Sequence, residues 1–470
     1  MAIKDADKIP FWQKIAFSLG VNTDYYATLL MTNVLWMPFC NIGMGMSPTT
    51  LGFILMIYRG WDAITDPVMG NITDNARTRW GRRRPFMFIA AFLIVLIYPA
   101  FWFMPEALSE SGKVIYLLVV GLLFFTVFTM WSMPFYGMQL ELTPDYDERT
   151  RLTAFMSFFS NLGSLAGGWI LAFATCALFV NPETGKGDIV IGMRYACWII
   201  GGLILLFALS PAIFVKERVY AKEARQQAKD PFWKSVRESF SCKPLWSLIG
   251  VSFFLVLGGA AVGSLGQYVN FYYVFDGDIA AASVLLGWKQ TLIVALGIGL
   301  IPVWTWMGER YDKRFMIALL LGFGMLGHAL NIFTMRPDLP YLQLINGVFE
   351  SCSLSAIWMF LPSMKADVAD YDETLTAKRR EGSINSFYSW FIKVSLTCSM
   401  GIGGVVLDLS GFNVKNDHQN DLVLSKMFWM YVGIPIVIWG VALVLVYLYP
   451  LNRSKMGVIR QQLEARRGAL

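Results

Sequence analysis

The sequence predicts an all-α membrane protein with twelve transmembrane helices arranged as two six-helix halves. Three observations carry this expectation. Of the 470 residues, 56% are hydrophobic and only 15% charged, whereas soluble domains run nearer about 45–50% apolar and 25% charged. Twelve stretches approach or exceed the ~20 apolar residues that a bilayer crossing needs. The tetrapeptide Asp-Tyr-Asp-Glu occurs at 145–148, after the fourth stretch, and again at 370–373, after the tenth.

The spans are expected at 14–41, 49–73, 85–105, 113–140, 152–180, 193–215, 244–274, 280–306, 314–334, 340–365, 384–411 and 424–450. The first follows a polar segment, Met1–Trp12, with Lys4 and Lys8 and no small-residue cleavage site, so it is expected to remain as a helix. Between spans 6 and 7 lies a polar, charge-rich stretch, 216–243. It divides the chain into an N-terminal bundle (1–215), a linker (216–243), a C-terminal bundle (244–450) and a tail (451–470). Each Asp-Tyr-Asp-Glu is followed by basic residues, Arg149 and Arg151 or Lys378 to Arg380, and then by a helix with a glycine pair, Gly167-Gly168 or Gly403-Gly404. Gly81-Arg-Arg-Arg after span 2 has a weaker echo in Gly308-Glu-Arg after span 8. A six-span repeat in the same orientation is the signature of a major facilitator fold.

Charge fixes the expected orientation. Alternate connecting segments, counted from the N-terminus, hold about 30 of the 39 Lys and Arg residues, which places both termini in the cytoplasm of a cell inner membrane. The net charge of +6 is therefore a membrane-side bias, and no nucleic-acid partner is expected. The six cysteines are scattered without a CxxC and there are only two histidines, His328 and His418. Zinc and haem sites are not expected, nor is an enzyme, which would need a convergent catalytic set. A monomer in the lipid bilayer is the expected state.

A few ionisable residues fall within the spans. Asp24 is in span 1; Arg59, Asp62 and Asp66 are in span 2; Lys289, Glu350 and Lys393 are in spans 8, 10 and 11. A carboxylate at the bilayer centre costs roughly 2.5–3.5 kcal/mol. Asp62 and Asp66, four residues apart, share one helix face, and two such charges call for a proton or a cation between them. Thr65 adds a hydroxyl oxygen. At 1.5 Å per residue, Asp24, Asp62 and Lys393 each lie roughly 15 Å from a helix end, the midplane of a ~30 Å core. The structural alternative is ion pairing, of Arg59 with Asp62 and of Lys289 with Glu350. Trp131, Tyr136, Trp358, Tyr388 and Trp390 offer ring faces that either stack on a sugar or simply pack.

Trp61-Asp-Ala-Ile-Thr-Asp-Pro-Val-Met-Gly70 and Arg77-Thr-Arg-Trp-Gly-Arg-Arg-Arg-Pro85, with Pro134-Phe-Tyr136, Asp145-Tyr-Asp-Glu-Arg149 and Ala366-Asp-Val-Ala-Asp-Tyr371, resemble the glycoside–pentoside–hexuronide:cation symporters, of which the melibiose permeases are best known. The resemblance covers nearly the whole chain. It implies that Asp62 and Asp66 bind the coupling Na⁺, Li⁺ or H⁺, with help from Thr129, and that Asp62 and Asp66 are metal ligands only if that ion is Na⁺; the Thr65 hydroxyl is expected to join the cation site. It implies that Asp24, Tyr136, Trp358 and Lys393 serve a sugar or sugar-acid substrate, with no cofactor beyond the coupling ion. Galactoside permeases place a second sugar-binding aspartate where this chain has Ser132, and an arginine where it has Ser157. Loss of that charged pair argues against an α-galactoside. Thr65 replaces an asparagine of the Na⁺-using permeases, which leaves Na⁺ and H⁺ both open. The expected gates are loop charges: Asp74 with Arg82, Arg83 and Arg84, and the repeated motif through Asp145, Arg149 and Asp370. The expected activity is cation-coupled sugar symport by alternating access, with a cation-coupled lysolipid carrier as the alternative.

Overall fold

The structure is a computed structural model that describes residues 8–143, 146–180, 187–217, 242–376, 381–414, 416 and 419–467. Of the expected site and gate residues, Asp145 lies outside this set, as do the side chains of Asp74 and Trp358. The described chain is helical throughout; the one β-type pairing among the described residues is a bridge between Val180 and Gly187.

Among the described residues, twelve rods run in chain order. They are α1 (Phe11–Asp24, prolonged in wider π turns through Gly43), α2 (Pro48–Asn75), α3 (Arg84–Trp102), α4 (Glu110–Glu141), α5 (Tyr146–Gly167, continued by Ile170–Ala174) and α6 (Ile189–Phe214). The second set is α7 (Lys243–Ala260, continued to Val274), α8 (Ile279–Gly299, continued by Ile301–Arg310), α9 (Lys313–Thr334), α10 (Leu344–Thr376), α11 (Glu381–Leu409) and α12 (Asp421–Leu448). A short surface helix, α13 (Arg453–Arg467), ends the described chain. Among the described residues, nine of the helical stretches are long and apolar enough to cross a membrane. The other three rods, α1, α2 and α10, are not among those nine; α2 carries Arg59, Asp62 and Asp66 within its span. All twelve expected spans are present. The largest boundary shift is in α10, which runs to Thr376, eleven residues past the expected end, because a helix needs no apolar residues once it leaves the hydrocarbon.

Helix starts carry side-chain caps that satisfy otherwise orphaned N–H groups. Ser47 accepts from Thr50, Ser109 from Gly112, Asp188 from Val190 and Ile191, and Asn420 from Leu422.

The chain divides into two compact units. One takes Met1–Gln227 with Asp278–Gln290 and Asn413–Asp417; the other takes Ala228–Gly277, Thr291–Phe412 and His418–Leu470. Within the first, α1 packs on α5 and α6, and α3 packs on α4 and α6. Within the second, α7 packs on α11 and α12, and α9 packs on α10 and α12. The same pairings therefore recur six helices later, which is the packing counterpart of the repeated sequence motif.

Small residues permit close helix approach, as they do in membrane bundles. A Cβ at Gly121 on α4 would overlap the Tyr58 ring of α2, and one at Gly20 on α1 would lie 2.7 Å from the Phe135 ring of α4. Aromatic side chains fill the first unit: Phe17 stacks on Phe135 at 4.5 Å between centroids, and Phe135 on Trp131 at 4.7 Å. Large apolar side chains such as Leu96, Leu206 and Phe214 point outward and are mostly exposed, as a lipid-facing surface requires.

Candidate functional site

The first unit brings together most of the residues expected to bind the cation. α2 carries Arg59, Asp62, Thr65 and Asp66 over two turns, and α4 lies against it. Thr129 of α4 is buried, and its hydroxyl donates to the Asp66 carboxylate at 3.3 Å. The Thr65 and Thr129 hydroxyl oxygens are 3.3 Å apart, and Thr65 also donates to the Trp61 carbonyl at 3.1 Å. Two hydroxyl oxygens and a carboxylate thus converge between two helices. Such hard oxygen donors suit a small hard cation. One turn earlier, the Arg59 guanidinium stands 3.5 Å from the Asp62 carboxylate, and both side chains are largely buried. The expected Arg59–Asp62 ion pair is therefore present beside the hydroxyl cluster. The Trp61 indole donates to Thr126 at 2.8 Å, which fixes the register of α2 on α4 next to that cluster. Pro67 follows Asp66 inside α2; having no N–H, it cannot serve the carbonyl of Ala63 four residues back.

Asp24 stands where α1 changes from α to π winding, at the boundary between Asp24 and Tyr25. Local π turns often mark functional positions. Both carboxylate oxygens have partners. The Tyr136 hydroxyl of α4 donates to one at 2.8 Å, and the Thr28 hydroxyl donates to the other at 2.8 Å. Asp24 and Tyr136, 112 residues apart in the chain, are thus direct neighbours.

The remaining expected residues are distributed as follows. Ser132 is buried and Ser157 exposed. Lys393 belongs to the second unit, as do Trp358, Tyr388 and Trp390. The Tyr388 hydroxyl donates to Ser252 at 2.7 Å, while Trp390 is exposed. Trp131 is fully buried and its indole donates to the Ala208 carbonyl at 3.2 Å, so it packs. Among the gate residues, Arg149 donates to the Thr143 carbonyl at 2.9 Å, Asp370 is partly buried, and Arg83 is buried with its guanidinium against Gly137 of α4.

Sequence reasoning missed several polar anchors. Glu217, read as part of a solvated linker, accepts three main-chain N–H groups at the start of α3. They come from Arg82 at 2.8 Å, Arg83 at 2.7 Å and Arg84 at 2.9 Å. Gly81 has a φ of +106°, and a Cβ there would lie 2.6 Å from the Glu217 carboxylate, so glycine is required twice over at this position. Glu148, in the first copy of the repeated motif, is fully buried. It pairs with Lys14 at 2.6 Å and accepts the Ile9 N–H at 2.9 Å. In the second unit, Lys365 of α10 donates to Asn385 and lies 5.2 Å from the Tyr388 ring centroid. The glycine-then-arginines start of α3 signals a helix N-terminus that attracts an acid, but nothing in the sequence singles out which acid.

Twelve membrane-length helices in two units of matching packing, with carboxylates and hydroxyls facing one another inside a bundle, define a multi-pass transporter of the major facilitator class. A family model described as "MFS/sugar transport protein" matches residues 11–453, and the chain belongs to that family. It is similar to the protein named "Putative glycoside/cation symporter YagG" of Escherichia coli, at 25% identity over 90% of this chain and 89% of that one. It is also similar to "Sodium-dependent lysophosphatidylcholine symporter 1" of Gallus gallus, at 24% identity over 87% and 81%. Among solved structures, a D-xylose-proton symporter shares the fold, with a TM-score of 0.64 and 14% identity over 94% of this chain and 98% of that one.

Proposed function

We propose that this protein is a cation-coupled symporter of the glycoside–pentoside–hexuronide type, carrying a sugar or sugar acid across the cytoplasmic membrane by alternating access, with both termini inside. The observation that carries the reading is the Asp66–Thr129–Thr65 oxygen cluster. With Asp62 it forms the cation site, open to Na⁺, Li⁺ or H⁺. Relatives named as symporters of glycosides and of a lysolipid support cation coupling. Asp24, oriented by Tyr136 and Thr28, then accepts hydrogen bonds from solute hydroxyls. Ser132, Ser157, Trp358 and Lys393 are assigned to the same solute. The gates are assigned to Asp74, Arg82, Arg83, Asp145, Arg149 and Asp370.

Ion binding at Asp62 and Asp66 removes their mutual repulsion and raises solute affinity. By linkage the solute raises ion affinity equally, by a typical 1–3 kcal/mol, or roughly 5–150-fold. The two repeat units exchange access around the site.

A second reading has a lysolipid as solute. The similarity to the lysophosphatidylcholine symporter, nearly as broad as that to the glycoside relative, favours it. Uptake by proteoliposomes of the purified protein separates the two. Labelled glycosides, pentosides, uronates and lysophosphatidylcholine are offered with an imposed Na⁺ gradient or pH gradient. The sugar reading expects accumulation of a sugar and none of the lysolipid; the converse result replaces it with the second reading. Asp66→Cys should abolish uphill accumulation while membrane insertion persists. Accumulation that survives in this variant would overturn the cation assignment.

A further inference from the structure

Four cations stand together at one end of the second unit. Arg310 closes the continuation of α8, Arg314 opens α9, and Arg453 and Lys455 open α13. Among the described residues, none of their side chains pairs with a carboxylate. Arg314 donates to the Tyr447 carbonyl at 2.6 Å, Arg453 to the Arg310 carbonyl at 2.7 Å, and Lys455 to the Pro450 carbonyl at 2.9 Å. The Arg310 guanidinium lies 4.1 Å from the centroid of the Trp306 ring. The acids close by are committed elsewhere: Asp312 accepts the main-chain N–H groups of Arg314 and Arg453, both at 2.9 Å, and Asp367 pairs with Lys313 at 2.6 Å. Exposed Glu309 remains beside Arg310 in sequence.

The cations are held in place. Met456, Ile459 and Leu463, one apolar stripe of α13, are buried in the core of the second unit, where α13 packs on α10. Arg453 and Lys455 are thereby fixed near the ends of α8 and α9 rather than carried on a free tail. The same rim exposes aromatic rings: Trp306, Tyr311 and Phe315 are each about half exposed, and Tyr447 is 78% exposed. Exposed aromatics beside unpaired cations at the ends of membrane helices are the composition of a membrane–water interface. The charge bias of the sequence assigns this end to the cytoplasm, where anionic lipids concentrate.

We propose that this rim is a binding site for the phosphate headgroup of an anionic phospholipid, whose acyl chains lie along the exposed apolar side chains of α8 and α12. The cations alone would suit any phosphate. The exposed aromatic and aliphatic surface beside them, with Ile301, Val444 and Leu448 exposed, commits the site to a lipid. The site is independent of the transported solute and of the coupling ion.

Native mass spectrometry of the purified full-length protein tests it, with phosphatidylglycerol and phosphatidylcholine of matched chains and inorganic phosphate as probes. At least one phosphatidylglycerol should bind tenfold or more tightly than phosphatidylcholine, and excess inorganic phosphate should not displace it. Removal of one cation near an anionic lipid is worth roughly fivefold in affinity. Arg310→Gln and Lys455→Gln, both at exposed positions, should each weaken phosphatidylglycerol binding about fivefold. The variant with all four residues changed to Gln should lose the preference, and one with the three arginines changed to Lys should keep it. If the fourfold variant does not fold, the two single variants decide. Equal binding of the two lipids, glutamine variants that bind like the unmodified protein, or displacement by free phosphate would each overturn the proposal.

Discussion

Thr129→Val removes one hydroxyl from the α2–α4 cluster and little else. Valine nearly matches threonine in volume, and Thr129 is 1% exposed, so the packing of α4 on α2 should survive. What is lost is the donor to Asp66 at 3.3 Å and the oxygen 3.3 Å from Thr65. A hydrogen bond to a charged group is worth about 1.5–3 kcal/mol net. This one is longer than the ~2.7–2.9 Å typical of charge-assisted bonds, so about 1.4 kcal/mol is the reasonable magnitude, equivalent to tenfold in affinity. The half-saturating concentration of the coupling cation should rise about tenfold, read from tryptophan fluorescence or thermal protection of the purified protein titrated with Na⁺ or Li⁺. Thr129→Ser should titrate like the unmodified protein. The reasoning is refuted if Thr129→Val titrates normally while Asp66→Asn, in the same assay, abolishes the response.

Four further outcomes are expected. Tyr136→Phe removes the 2.8 Å donor to Asp24 and should raise the solute KM about tenfold by loss of one charge-assisted bond, with the cation titration unchanged. Glu217→Gln weakens three main-chain contacts at the α3 N-terminus and should cost about 1–2 kcal/mol, seen as a lower midpoint of thermal unfolding. Glu148→Ala leaves Lys14 facing a site built for a carboxylate and should cost about 3–5 kcal/mol, read as loss of monodisperse protein after extraction. Gly121→Ala drives a methyl into the Tyr58 ring and should cost about 1–3 kcal/mol through overpacking, with the same readout.

The spans were legible because lipid imposes one strong rule, a long apolar run with all backbone groups bonded internally. Where that rule stops, so does legibility. α10 continues to Thr376 and α13 forms at all in segments where hydropathy says nothing. The π winding of α1 from Tyr25 to Gly43 has no residue signature beyond Pro38. Of the candidate site, the α2 carboxylates could be read directly, since charges in an apolar stretch stand out. Their partners on α4 are harder to read: a threonine or tyrosine in a membrane helix is unremarkable until packing shows what it faces, so Tyr136 is one of five aromatic candidates and Thr129 is indicated by family resemblance alone. Glu217 is the opposite case, one acid among many in a 28-residue charged stretch, distinguishable only by the three N–H groups that close on it.

Under the proposed reading, α4 is the element through which ion and solute communicate. Thr129 meets Asp66 of α2, and Tyr136 meets Asp24 of α1. Seven residues separate the two contacts on one helix, close to two full turns, so both fall on nearly the same face with about 10.5 Å of rise between them. Pro134 lies between them inside α4. Lacking an N–H, it leaves the carbonyl of Met130 without its usual helical donor and makes this the point where the helix bends most easily. A cation drawn between Asp66 and Thr129 pulls on α4 below that bend, and the Tyr136 hydroxyl that orients Asp24 sits just above it. Asp66 is bonded to Thr129 and Asp24 to Tyr136, so a shared mechanical element is one route for the reciprocal effect of ion on solute, beside the through-space interaction of the two charges. A single helix bonded to both sites and hinged between them supplies that element without any further contact.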